Sequence, residues 1–141
     1  EIGMKVKLDT NGYRPEVLRN LMAAGLIDYV AMDIKSSLDG YSKVAGVTID
    51  TEKIKESVGL LINGNIPYEF RTTVVRELHD KEAMEGIAKL IKGAENYYLQ
   101  GYEDRESVIC PGFTAYTKEE LEKFLPIFLK SVKSAQIRGV E

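Results

Sequence analysis

One cysteine, one histidine and no tryptophan occur in 141 residues. A single thiol, Cys110, excludes an internal disulfide and any multi-cysteine metal site built from this chain alone. It fits a reducing cytoplasm, where its expected role is that of a small buried or loop residue rather than a reactive one. No apolar run approaches the roughly 20 residues that cross a bilayer, and no signal-peptide pattern is present. Basic charge is also scarce. Against 22 acidic residues stand 19 Lys and Arg, for a net charge of -3 with no unbalanced basic block. That balance argues against nucleic acid as a partner. Linkers and low-complexity tracts are missing too, so residues 1–141 are expected to form a single domain.

What is present is an ordinary globular mixture, 44% hydrophobic and 29% charged, long enough to bury a core. Four helices can be read from apolar period and end signals. Pro15 suits a first helical turn, with Val17, Leu18, Leu21 and Met22 on one face and Gly25 as the stop. Asp50 and Asp80 are expected to cap the second and third helices, which end at Asn63-Gly64 and Gly93. Thr117 and Glu120 form a capping-box pattern for a fourth, which Pro126 should bend. Before or between these helices lie strand-like runs: "MKVKLD", "DYVAMDIK", "PYEFRTTVV" and "NYYLQGY", with "AQIRGV" as a possible terminal strand. Strands alternating with helices imply a parallel sheet with right-handed crossovers. The chain opens "EIGMKVKLDTNG", with Gly3 in the place where glycines elsewhere in this sequence follow a helix. The start is therefore expected to be the last turn of a helix, and the chain a fragment.

The strands are two-sided. Met4, Val6 and Leu8 alternate with Lys5, Lys7 and Asp9; Val30, Met32 and Ile34 with Ala31, Asp33 and Lys35; Phe70, Thr72 and Val74 with Glu69, Arg71 and Thr73. A doubly wound sheet, covered on both faces, would read as nearly continuous apolar residues. One apolar and one charged face instead imply an open, partial β/α barrel of the α/β class, since a closed barrel fills its interior with branched apolar side chains. Ligands in such folds bind beyond the carboxyl ends of the strands. The residues collected there are Asp9, Thr10 and Asn11, then Asp33 and Lys35, Arg71, and Gln100. Both signs of charge suit a zwitterion: Lys35 or Arg71 toward a carboxylate, Asp9 or Asp33 toward an ammonium or a cation.

Each of these residues also has a plain structural role open to it. "DTNG" can be a simple turn. Asp33 and Lys35, on the same side of a strand, can be an ion pair of little worth. Arg71 on a polar face needs an anionic partner, and Glu69 can be enough. His79, the only histidine, reads as a loop residue preceding a helix before it reads as a metal ligand. Tyr97, Tyr98 and Tyr102 read as packing and hydrogen-bonding residues before a base-stacking platform.

In this order, "KLDTNG", "YVAMDIK", "YEFRTTVV" and "YYLQGY" closely resemble the later part of the radical S-adenosylmethionine activating enzymes. These include the activases of anaerobic ribonucleoside-triphosphate reductase and pyruvate formate-lyase. "EFRTTVV" with a later "LHD", and the ending "IRGV", lean toward the reductase-activating branch. The resemblance implies the last four units of a partial (β/α)6 barrel with an open strand edge. It also implies a [4Fe-4S] cluster that cleaves S-adenosylmethionine, a glycyl-radical enzyme as target, and a flavodoxin- or ferredoxin-type electron donor. By that match Asp33 and Lys35 contact the cofactor's methionine and ribose parts and Arg71 approaches its carboxylate. Thr10 and Asn11 shape the rim, Gln100 lies toward the adenine, and Asp9 with Asp33 holds a monovalent cation.

The departures are as informative. The cluster motif C-x3-C-x2-C does not occur, nor does the family's glycine-rich strand end. Arg76-Glu77 stands where the family often has Pro-Gly. No catalytic residue is therefore expected in this chain, which alone should neither bind a cluster nor make a radical. It should expose an edge suited to strand pairing or dimerisation. Two other readings stand beside this one: an aldolase-type lyase forming an imine on Lys35, and a non-catalytic domain that kept the fold and lost the chemistry.

Overall fold

The computed structural model describes residues 5–42, 48–102 and 114–139. Gly3, Met4 and Cys110 lie outside that set. Five strands, β1 (Lys7–Thr10), β2 (Tyr29–Asp33), β3 (Tyr68–Val74), β4 (Asn96–Gly101) and β5 (Ser134–Arg138), pair in sequence order, all parallel. Among the described residues, four helices lie between them: α1 (Pro15–Ala23), α2 (Thr51–Ile62), α3 (Lys81–Leu90) and α4 (Lys118–Leu129). A 3-10 turn, Leu38–Gly40, lies between β2 and α2. Each step moves one strand in the same direction, and right-handed crossovers then place these four helices on one face of the sheet. The sheet is open, with β1 and β5 at its edges, as the two-sided strands imply. The terminal strand read from "AQIRGV" is β5.

Local chemistry sets the helix limits. The Asp50 carboxylate accepts from the Glu52 N–H at 3.1 Å, and that of Asp80 from the Ala83 N–H at 2.8 Å. Thr117 and Glu120 make the reciprocal capping box, at 3.0 and 3.2 Å. α4 runs on through Pro126 to Leu129. None of the helices described is long and apolar enough to cross a membrane.

The core lies between the helices and one sheet face. Val30, Met32, Phe70, Val74, Tyr97 and Leu99 are buried there. Tyr97 stacks on Phe128 of α4, ring centroids 4.5 Å apart, and donates its hydroxyl to Thr72. Burial pushes the Tyr97 phenol pKa well up, against the opposing pull of the Thr72 hydrogen bond. The opposite face carries Asp9, Asp33, Glu69, Arg71, Tyr98, Gln100 and Arg138, as register requires. β1 deviates from the sequence reading at its start: Lys5 and Val6 precede the strand, and Val6 is exposed. An edge strand packs on one neighbour only, so its first residues gain little by burial.

Candidate functional site

β1, β2, β3 and β4 end along one edge of the sheet, and the polar residues collected from the sequence lie there. Asp33, the last residue of β2, stands in register with Arg71, and the Arg71 Nε–H donates to its carboxylate at 2.7 Å. The same guanidinium reaches Asp9 on β1 at 3.6 Å. Arg71 therefore bridges the two carboxylates expected to share a cation. Burial opposes its charge, but the Asp33 hydrogen bond and both aspartates hold its pKa above the ordinary arginine value. Among the described residues no group of three His, Cys, Asp or Glu side chains could hold a metal ion.

Two sequence expectations are corrected. Asp33 and Lys35 do not form the pair that strand alternation implied. β2 ends at Asp33, so Lys35 lies in non-strand chain and is exposed, where the period of two no longer applies. Glu69 is not the partner of Arg71 either. Arg138 of β5 donates to it at 2.8 and 3.4 Å, and the Tyr29 hydroxyl at 2.8 Å. Glu69 is only 3% exposed. Burial raises its pKa, but the Arg138 and Tyr29 hydrogen bonds outweigh it and hold the carboxyl below the usual range. Burial and the same contact with Glu69 push the Tyr29 phenol up to about 12. The Arg138 guanidinium also lies 3.8 Å from the centre of the Tyr98 ring. Arg138 stands in the "IRGV" ending but was not collected with the strand-end residues, because its strand was read only as a possible one; its register with Gln100 puts it on the polar face.

Thr10 and Asn11 serve the turn that follows β1. The Thr10 hydroxyl accepts from the Gly12 N–H and the Asn11 side chain from the Tyr13 N–H, both at 3.0 Å. A second residue missed in the sequence, the fully buried Ser57 of α2, donates to the Gly12 carbonyl at 2.7 Å and pins that turn. Gly12 has φ of 73°, and a Cβ there would sit 2.1 Å from the Met32 side chain. Gly12→Ala is expected to lower stability by about 1–3 kcal/mol, read as a reduced urea midpoint at constant slope. An unchanged midpoint would mean that the turn relaxes freely. Gln100 lies on the polar face in register with Thr73 and Arg138, half-buried and apart from the Asp9–Arg71–Asp33 row.

The loop after β3 is tied down from several sides. Arg76 pairs through two nitrogens with Glu120 and donates to the Ala115 carbonyl at 3.1 Å. Hydrogen bonds from Arg76 hold Glu120 down at a pKa of about 2. The Glu77 carboxylate accepts from the Thr114 N–H at 2.7 Å. His79 is a buried linker whose two ring nitrogens both meet backbone groups. It is not placed as a metal ligand. An imine-forming lysine is activated by desolvation or a nearby cation; Lys35 stands exposed.

Comparison with known proteins follows the same line. No family model matches the chain. It is 39% identical over 111 residues to a protein of Methanocaldococcus jannaschii with the provisional name glycyl-radical enzyme activating enzyme. That match covers 76% of this chain and 46% of the relative, so the chain spans about half the length of the curated protein it matches. Its fold is similar to the crystal structure of a domain of pyruvate-formate lyase-activating enzyme from Bacteroides vulgatus. There the TM-score is 0.73 at 17% identity, over 96% of this chain and 81% of the other. By sequence the chain is thus a relative of the glycyl-radical enzyme activating enzymes, and the solved domain shows that the fold is shared.

Proposed function

We propose that this chain supplies the cofactor-contacting strand ends of a radical S-adenosylmethionine enzyme that activates a glycyl-radical enzyme. In our reading the target is anaerobic ribonucleoside-triphosphate reductase, the compartment is the cytoplasm, and a flavodoxin- or ferredoxin-type protein supplies electrons. The observation that carries the reading is the Asp9–Arg71–Asp33 row at the carboxyl edge of the sheet. A planar cation held between two carboxylates is a donor set that fits the zwitterionic end of S-adenosylmethionine. It does not fit the cluster, whose thiolates one cysteine cannot provide. When bound together, a reduced [4Fe-4S] cluster and S-adenosylmethionine supply a carbon radical able to take hydrogen from a glycine.

This chain's residues bind and orient. Arg71 would hold the cofactor carboxylate. Asp33 would take a ribose hydroxyl or the ammonium, and Lys35 would contact the methionine or ribose part. Asp9 with Asp33 would hold a monovalent cation. Thr10 and Asn11 would shape the rim, and Gln100 would lie toward the adenine. The free edge of β1 suits pairing with another strand, from the rest of the enzyme or from a second copy.

The test is made in the full-length activase. Asp33→Ala and Lys35→Ala should each weaken S-adenosylmethionine binding about tenfold or more, as a charge-assisted hydrogen bond is worth ~1.5–3 kcal/mol. Unchanged affinity and unchanged cofactor cleavage in both variants would sink the site assignment.

A further inference from the structure

Lys35 lies just beyond β2, and its side chain is exposed. A residue so placed is ordinarily free to sample several backbone conformations. Here its two peptide groups are gripped by two buried side chains from different segments. The Tyr41 hydroxyl accepts from the Lys35 N–H at 3.1 Å and donates to the Asp33 carbonyl at 3.4 Å. On the other side His79 Nε2–H donates to the Lys35 carbonyl at 2.7 Å. Its Nδ1 accepts from the Val75 N–H at 3.1 Å, which fixes the tautomer. Tyr41 is 2% and His79 1% exposed. The loop that carries His79 is itself held, because the Tyr116 hydroxyl donates to the His79 carbonyl at 2.7 Å.

Burying a hydroxyl and an imidazole costs free energy unless both are fully hydrogen-bonded. Apart from the Val75 contact, the bonds that satisfy them all converge on the two or three residues at the end of β2. Asp33 is already fixed by the sheet and by Arg71. Lys35 has no strand to hold it.

From this geometry we infer that Tyr41 and His79 are positioning residues for Lys35, fixing its backbone so that its ammonium meets the cofactor in one arrangement. This rests on the reading of Lys35 as a cofactor contact. Neither Tyr41 nor His79 touches the ligand. Their effect passes through Lys35, which separates them from residues that merely hold the fold.

The test is a double-mutant cycle in the full-length activase, reading the dissociation constant for S-adenosylmethionine by anaerobic calorimetry. Tyr41→Phe removes one oxygen and keeps the ring. With Lys35 present it should weaken binding about three- to tenfold, the worth of one hydrogen bond. In a Lys35→Ala background the same change should have no effect. His79→Phe should behave likewise, and His79→Gln, which keeps a donor and an acceptor, should restore most of the affinity. Equal losses in both backgrounds, or no loss in either, would overturn the inference while leaving Lys35 as a ligand. If Lys35→Ala alone binds as the parent does, the cofactor reading of Lys35 has failed, and the inference with it. Should His79→Phe not fold, Tyr41→Phe carries the test.

Discussion

Phe70→Ala should cost about 3–5 kcal/mol, the range for truncating a fully buried aromatic side chain. Phe70 is 0% exposed and sits in the middle strand of five, in register with Met32 and Tyr97. Its ring lies 5.3 Å from that of Tyr68, tilted by 59°. Alanine there leaves a cavity between sheet and helices that close-packed neighbours fill only in part. A domain's whole stability is about 5–15 kcal/mol, so the variant should be largely unfolded in mild urea. Equilibrium denaturation would show a lower midpoint with an unchanged slope. A loss below about 1 kcal/mol would mean that the helix layer collapses onto the gap. Thr73→Ala, on the exposed polar face of the same strand, is the matched control and should change stability by less than about 0.5 kcal/mol.

Acid should weaken the fold through His79 before it reaches the carboxylates. Burial holds the His79 pKa below its ordinary value, against the opposing pull of the Lys35 and Val75 backbone contacts and of the Asp80 charge. The unfolded chain takes up its proton near pH ~6.5, the folded chain only at a lower pH. Between those two points the unfolded state binds more protons, so stability rises with pH by up to about 1.4 kcal/mol per unit. His79's contribution is complete above the unfolded value and is lost as pH falls through the window beneath it. Protonation also puts a hydrogen on Nδ1, which faces the Val75 N–H donor. Glu69, Glu77 and Glu120 all have lowered pKa values, so their losses come at lower pH. Urea midpoints at pH 7.5, 6.5 and 5.5 for the parent and His79→Gln would isolate the effect. Equal slopes in the two proteins would remove His79 as its source.

Much of the architecture could be read from side-chain alternation. In β3, Phe70, Thr72 and Val74 face the helices while Arg71 and Thr73 do not, and that two-sidedness already distinguished an open barrel from a doubly wound sheet. Caps were readable for the same reason: Asp50, Asp80 and Thr117 act on amides two or three residues away. What failed was any inference reaching past a strand's end or across distant strands. Asp33 and Lys35 were read as neighbours by a period that stops where β2 stops. Glu69 finds its partner 69 residues on, in Arg138, a pairing fixed only when β5 docks. Ser57 and Tyr41 were not singled out in the sequence at all. Their importance lies in the backbone groups they bond, which one-dimensional pattern does not display.

With the four described helices on one side of the sheet, adjacent residues of one strand answer to different demands. Positions 68, 70, 72 and 74 are constrained by folding, whereas 71 and 73 are constrained by whatever meets the other face. Neighbouring codons in β3 thus bear separate selective burdens. The chemistry of this surface can drift by changes at alternate residues while the scaffold stays as it is. Glu69 is the exception, because its ties to Tyr29 and Arg138 make it answerable to both.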